Sequence, residues 1–225
     1  QTVWKIVLFL PVFCPTIGAH LIYMSYKTEQ ENFWSSEFGD NYIDRNQNYI
    51  VNIPFFSKVI SRTFGVKSVI EFGCNVGLNL MALNNLLPRC ELTGVEINSK
   101  AANELSKWGG CNVINESIFD YKDSKKYDLS MIKGVLIHIN PDMLNNVYEK
   151  LYDSSDRYIL VAEYYNPTPV NISYRGYNDR LFKRDFAGEM LDKYSDLELV
   201  DYGFLYHRDK YFEQDDINWF LLEKG

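Results

Sequence analysis

The sequence predicts an α/β fold: a mostly parallel sheet with helices on both faces and an antiparallel strand near the C-terminus. Two observations carry this. From Ser68 onward, short β-branched runs alternate with helix-like segments, the pattern of parallel βαβ units. The last third then ends in two strand-like runs joined by a loop, which read as a hairpin and make one closing strand antiparallel.

Ser68–Phe72 (SVIEF) reads as a buried strand, followed by a glycine-containing turn and an apolar helix through Leu87 that Pro88 stops. Glu91–Ile97 (ELTGVEI) is a second strand, with Ser99 as the N-cap of the next helix. Cys111–Ile114 is a short third strand and Tyr127–Lys133 a fourth, after which Pro141 opens a helix at its favoured first position. Arg157–Tyr164 is a fifth. Beyond it come a long polar, tyrosine-rich connection, a helix near Phe186–Tyr194, and the runs Leu197–Tyr206 and Ile217–Glu223. Residues 24–66 read as an N-terminal helical cap and 67–225 as the sheet core of a single domain.

Composition narrows the partners. The 225 residues hold 23 Lys+Arg against 30 Asp+Glu, a formal net charge of -7. Duplex nucleic acid needs a broad basic face, so it is excluded as a partner, whereas a local basic patch still suits a small anion. Cys14, Cys74, Cys90 and Cys111 form no CxxC pair and no metal-ligand spacing with the three histidines. They read as reduced thiols of a cytoplasmic protein, with neither disulfide nor metal. Val3–Tyr23 is almost continuously apolar, interrupted by Lys5, Pro11 and Pro15. This 1–23 leader reads as a membrane anchor or signal segment, as an added helix packed on the domain, or as a stretch upstream of a natural start at Met24; a membrane partner enters only if it is native.

The strongest local signal is Glu71-Phe72-Gly73-Cys74-Asn75-Val76-Gly77 at the end of the first strand. Glycines there let the backbone turn sharply and approach a ligand, and ligands of open α/β sheets sit outside the carboxyl ends of the strands. The spacing is G-x-N-x-G, not the G-x-G-x-x-G that seats a pyrophosphate on helix amides. It therefore suits S-adenosylmethionine, which has no phosphate and whose amino-acid end offers an ammonium that Glu71 can face. Glu96, about twenty residues on at the tip of the second strand, can take both ribose hydroxyls. Ile97 packs on the adenine face, and Ser117 and Ile118 meet its edge or are ordinary loop residues. An NAD(P)-dependent oxidoreductase and a non-catalytic binding domain are the alternatives left open.

The runs VIEFGCNVGLNL, GVEIN and YDLSMIKGVLIHINP resemble those of class I S-adenosylmethionine-dependent methyltransferases, on a Rossmann-like sheet. More narrowly, EYYNPTPVNISYRGYNDRLFKRDFAGEML and LVDYGFLYHRD…DDINWFLLEK resemble the methylases associated with pseudaminic acid biosynthesis. That resemblance, from about Lys27 to the C-terminus, implies a seven-stranded sheet and methylation linked to nonulosonic acid sugars.

Acceptor groups are expected at the ends of the fourth and fifth strands. His138 is the candidate base, or else orders the turn into the Pro141 helix. Lys133 and Gly134 shape the cofactor floor. Tyr164 and Asn166, in Glu163-Tyr164-Tyr165-Asn166-Pro167-Thr168, place hydrogen-bonding groups beside the methyl. Tyr165, Tyr174, Arg175, Lys183 and Arg184 suit a carboxylated or nucleotide-linked sugar, since arginine pairs with carboxylates and tyrosine stacks on sugars. With Arg180 they put four cations within ten residues; the alternative is a solvated basic helix start paired with Asp179 and Asp185. Ahead of the sheet, the aromatic segment Phe33–Asn46 is expected to close over the cofactor, with Tyr42 and Arg45 reaching its carboxylate; the alternative, plain hydrophobic packing of a capping helix, fits Phe33, Trp34 and Phe38 better than it fits Arg45.

Overall fold

The computed structural model describes residues 26–43, 48–122 and 124–225; the 1–23 leader, Met24 and Arg45 lie outside the described residues. Five parallel strands, β1 (Ser68–Phe72), β2 (Glu91–Val95), β3 (Asn112–Ile114), β4 (Tyr127–Lys133) and β5 (Ser155–Glu163), form most of one sheet. A two-stranded unit, β6 (Val170–Tyr174) and β7 (Tyr177–Lys183), stands apart from it. Then β8 (Leu197–Leu205) and β9 (Ile217–Lys224) complete a seven-stranded sheet of order β3-β2-β1-β4-β5-β9-β8. Only β9 runs against its neighbours in this sheet, with its Leu221 opposite Leu160 of β5 and its Leu222 opposite Leu199 of β8. The expected fold class is the observed one. The strand order reverses between β1 and β4, and that switch point is where such sheets open a crevice.

Strand alternation sends neighbouring side chains to opposite faces. Val69 therefore packs with α3 (Ile53–Ile60), α4 (Leu78–Leu86) and α5 (Ser99–Trp108), through Phe56, Leu83 and Leu105. Ile70 and Phe72 pack with α6 (Leu144–Ser154) and α7 (Phe186–Lys193), through Val147, Tyr148 and Met190. Both faces are thus covered, which is why the central strands are apolar almost throughout. Ahead of the sheet, α1 (Glu29–Ser35) and α2 (Glu37–Tyr42) lie across its carboxyl end.

Three local expectations change. Asn98, not Ser99, caps α5: its Oδ1 accepts from the Ala101 amide at 2.9 Å, while the Ser99 hydroxyl donates to Asn115. Pro141 opens a 3-10 turn, capped by Asn140, and α6 begins three residues later at Leu144. The tyrosine-rich connection is a hairpin, because Arg175 (φ 52°) and Gly176 (φ 85°) both take the left-handed conformation of a tight two-residue turn.

Candidate functional site

A cavity of about 660 Å³ opens at the carboxyl ends of β1 to β4, large enough for a nucleoside-sized ligand and a small second molecule. The turn after β1 forms one wall. Its Gly73 and Cys74 amides donate to the Val95 carbonyl, and the Asn75 amide donates to Glu96 Oε2 at 2.7 Å, binding this turn to the end of β2. Asn75 takes a positive φ of 48°, which a short polar side chain tolerates, and its Oδ1 accepts from the Val76 amide.

Glu96 is 8 % exposed, and its Oε1 accepts from the Asn98 amide at 2.7 Å. Backbone donors thus reach both oxygens, and Glu96 lines the cavity. Burial raises its carboxyl above the ordinary range. Ile97, Ser117, Ile118, Lys133, Gly134 and Tyr42 also line the cavity. At Gly134 the backbone is left-handed (φ +69°) and a Cβ would enter open space.

Glu71 and Gly77 lie behind the wall instead of on it. Glu71 is fully buried; its Oε1 accepts from Asn79, which does line the cavity, and its Oε2 has no partner. Burial pushes its carboxyl up to about 8. Lys133, within electrostatic reach of Glu71, Asp215 and Glu163, is pulled down by burial. Gly77 begins α4 with φ +79°, and a Cβ there would lie 2.3 Å from Leu105.

His138 closes the other end. Its Nδ1 lies 2.6 Å from the Arg180 carbonyl, which only accepts, so Nδ1 carries the proton and Nε2 keeps its lone pair. Trp34 and Tyr174 flank the ring at 4.6 and 5.0 Å. Burial lowers its pKa to about 4, so the ring is neutral at physiological pH. The turn that carries it is held from below by Glu163, whose Oε1 accepts from the Val135 and Leu136 amides at 2.9 and 2.8 Å.

The remaining acceptor candidates do not gather as the sequence suggested. Tyr164 stands behind the wall and bonds the cavity-lining Asp215; Lys183 lies over its ring at 5.1 Å. Asn166 spends its amide on Thr168, and Tyr165 packs outward near Phe220. Arg184 pairs with Glu189 at 2.5 Å and Arg180 with Glu29 at 3.2 Å. The carboxylates of Asp179 and Asp185 are not their ion-pair partners: Asp179 accepts from Asn171 and Asp185 caps α7, although Arg180 also donates to the Asp179 carbonyl at 3.0 Å. Arg175, stacked on Tyr174, and Lys183 have no carboxylate within ion-pair distance among the described residues.

Sequence reasoning missed several lining groups. Glu31 arrives on α1, beside Trp34 of the expected closing segment, and His207, Glu213, Gln214 and Asp215 on the loop before β9, where Gln214 donates to the Val51 carbonyl at 3.1 Å. Glu31 was readable as the acidic half of a Thr28–Glu31 capping box. The loop carries no local signal, because only the return of β9 beside β5 brings it to the cavity.

No protein-family model matches the sequence. No curated protein sequence matches it either. Solved structures do match in fold. Magnesium protoporphyrin IX methyltransferase from Synechocystis PCC 6803, with bound S-adenosylmethionine, superimposes with a TM-score of 0.62 at 13% identity, covering 88% of this chain and 98% of that one. A SAM-dependent methyltransferase of Leishmania major gives 0.66 at 14% identity, covering 86% and 81%. The plantazolicin methyltransferase BpumL with S-adenosylhomocysteine gives 0.61 at 16% identity, covering 87% and 94%. The chain has the fold that these S-adenosylmethionine-dependent methyltransferases share.

Proposed function

We propose that the chain is an S-adenosylmethionine-dependent methyltransferase acting on an oxygen or nitrogen of a small, sugar-derived acceptor linked to pseudaminic acid biosynthesis. The observation that carries this is one cavity with Glu96 and the Gly73–Asn75 turn on one side and the Nε2 of a neutral His138 on the other. The donor set fits the cofactor. Glu96 and Asp215 line the cavity with carboxylates, Glu71 keeps an unpartnered oxygen behind it, and Lys133 brings the one Lys or Arg among the described lining residues. Such a set suits a ligand bearing a sulfonium, an ammonium and a carboxylate.

Bound there, S-adenosylmethionine supplies an electrophilic methyl group. Glu96 holds the ribose hydroxyls on the lone pairs its backbone donors leave free. Lys133 faces the amino-acid carboxylate, Gly134 leaves room for the chain, and Ile97, Ile118 and Phe119 cover the base. His138 Nε2 accepts the proton that the acceptor loses, because the Arg180 carbonyl fixes the tautomer. Trp34, which lines the cavity, and Tyr174 pack on the His138 ring and exclude water from it. Arg175 and Lys183 remain for a carboxylate or phosphate on it, while Arg180 and Arg184 are already paired. The narrower assignment rests on the resemblance of the 163–191 and 199–224 runs.

Its test is incubation of the full chain and labelled S-adenosylmethionine with nonulosonic acid precursors, free and nucleotide-linked. Label in an acceptor of this class supports the assignment. Transfer only to unrelated acceptors removes the sugar reading and leaves the methyltransferase.

A further inference from the structure

We propose that Gln30 and Trp34, one turn apart on α1, form an acceptor subsite that takes a hydroxyl beside the atom to be methylated. The inference rests on the methyltransferase reading above. Residues four apart share one face of a helix, and both of these line the cavity.

Gln30 is 6 % exposed, and its surroundings orient its amide. Nε2 donates to the Asp179 carbonyl at 3.0 Å. A carbonyl only accepts, so the NH2 lies at that end and the oxygen at the other. This Oε1 is buried and has no partner among the described residues. Trp34 Nε1, which can only donate, is likewise buried and unpartnered among them. The indole is fixed edge-on to Phe38 and Tyr42, at 5.4 and 5.3 Å. So α1 carries one acceptor and one donor that the fold leaves unsatisfied. Such atoms oppose folding, and native chains keep few of them.

Two contacts place the pair beside the proposed base. Trp34 packs on the His138 ring at 4.6 Å. The Asp179 carbonyl that holds Gln30 comes one residue before the Arg180 carbonyl that holds His138. Both unsatisfied atoms are shut off from open solvent, so the group that reaches them is one over which α1 closes. A hydroxyl satisfies both at once: its proton goes to Gln30 Oε1 and its oxygen accepts from Trp34 Nε1. A ketone, an ether or an ammonium satisfies one only, and a secondary amide turns its N–H away from its C=O. His138 Nε2 is then kept for the neighbouring atom that loses its proton. The acceptor class is a vicinal diol or an amino alcohol.

The test takes the acceptor that gains label in the transfer assay above, locates its new methyl group, and adds deoxy analogues lacking each hydroxyl next to that position. Wild type is expected to prefer the parent acceptor over one of these by at least about tenfold in kcat/KM. Trp34→Phe keeps a ring against His138 without the N–H, and Gln30→Met keeps the length without the oxygen. In each variant the acceptor KM should rise about tenfold and the preference should fall by about threefold or more, with S-adenosylhomocysteine affinity kept within about threefold by calorimetry. A merely structural role would slow parent and deoxy acceptors alike, and an unaltered ratio in both variants overturns the proposal. So does a methylated acceptor with no hydroxyl next to the methylated atom, or equal wild-type rates with every deoxy analogue. Should one variant not fold, the other decides. Transfer only to unrelated acceptors removes the sugar reading, and the same comparison on those acceptors decides this one. A wild-type chain that transfers no methyl group overturns the methyltransferase reading instead.

Discussion

Replacing Glu163 by Gln removes a buried ionisation while leaving the support beneath His138 in place. Glu163 is 2 % exposed, its Oε1 accepts from the Val135 and Leu136 amides, and its Oε2 has no partner. Burial raises the carboxyl from 4.5 to about 7. Between these values the folded protein holds a proton that the unfolded chain has released, so stability falls as pH rises through that window and levels off above it. From pH 5 to pH 8 the unfolded chain outruns the folded one by about 2 units, worth on the order of 2 kcal/mol at ~1.4 kcal/mol per unit. The Glu163→Gln protein has nothing to ionise at this position, and its amide carbonyl still accepts from both amides. Its stability relative to wild type should therefore rise by on the order of 2 kcal/mol between pH 5 and pH 8, a melting shift of roughly 4 to 8 °C in a chain of this size. Glu71 titrates in both proteins and cancels. Urea titrations at pH 5, 6, 7 and 8 measure the difference. A gap that stays constant across this range, or narrows as pH rises, refutes the reasoning.

Other substitutions separate the roles of the site. His138→Asn should lower kcat by about 100-fold to 10,000-fold with S-adenosylhomocysteine affinity kept within about threefold, and the acid limb of the wild-type rate, set by a ring titrating at about 4, should vanish. Equal losses in binding and turnover would make His138 structural. Gly77→Ala meets both a left-handed backbone and a Cβ 2.3 Å from Leu105; it should cost about 2 kcal/mol by thermal denaturation, and a neutral change would contradict the packing. Lys183→Met should raise the acceptor KM about tenfold, whereas Arg184→Met should lower stability and leave KM alone because Arg184 is held by Glu189. Matching KM effects from the two would show that the ion pair opens for the acceptor.

The strands were legible because the buried runs are apolar and punctuated, and a parallel sheet allows few orders for them. The β6–β7 hairpin was not, since its turn is Arg175-Gly176 instead of the Asn-Gly that advertises such a turn. Within the site, residues fixed by strand ends were readable: Glu96, just after β2, and Lys133, the last residue of β4, line the cavity where those positions place them. Glu71 misled by one layer, because Asn79 from α4 comes between it and the cavity. The cation cluster misled for another reason. Sequence counts charges but not their partners, and Glu29 and Glu189 lie far along the chain from the ends they neutralise or across a helix turn from them. Glu163 stood in a quoted motif without a role, since capping a neighbouring turn is a tertiary contact that no spacing encodes.

The most direct measurement is calorimetric titration of the full chain with S-adenosylmethionine, S-adenosylhomocysteine and NADH, beside a Glu96→Ala variant. Micromolar binding of both adenosyl ligands, no binding of NADH, and a loss of at least about tenfold in the variant are expected, because Glu96 offers two charged acceptors to the ribose. A folded chain that ignores both adenosyl ligands, or binds them equally well without Glu96, contradicts the proposed site.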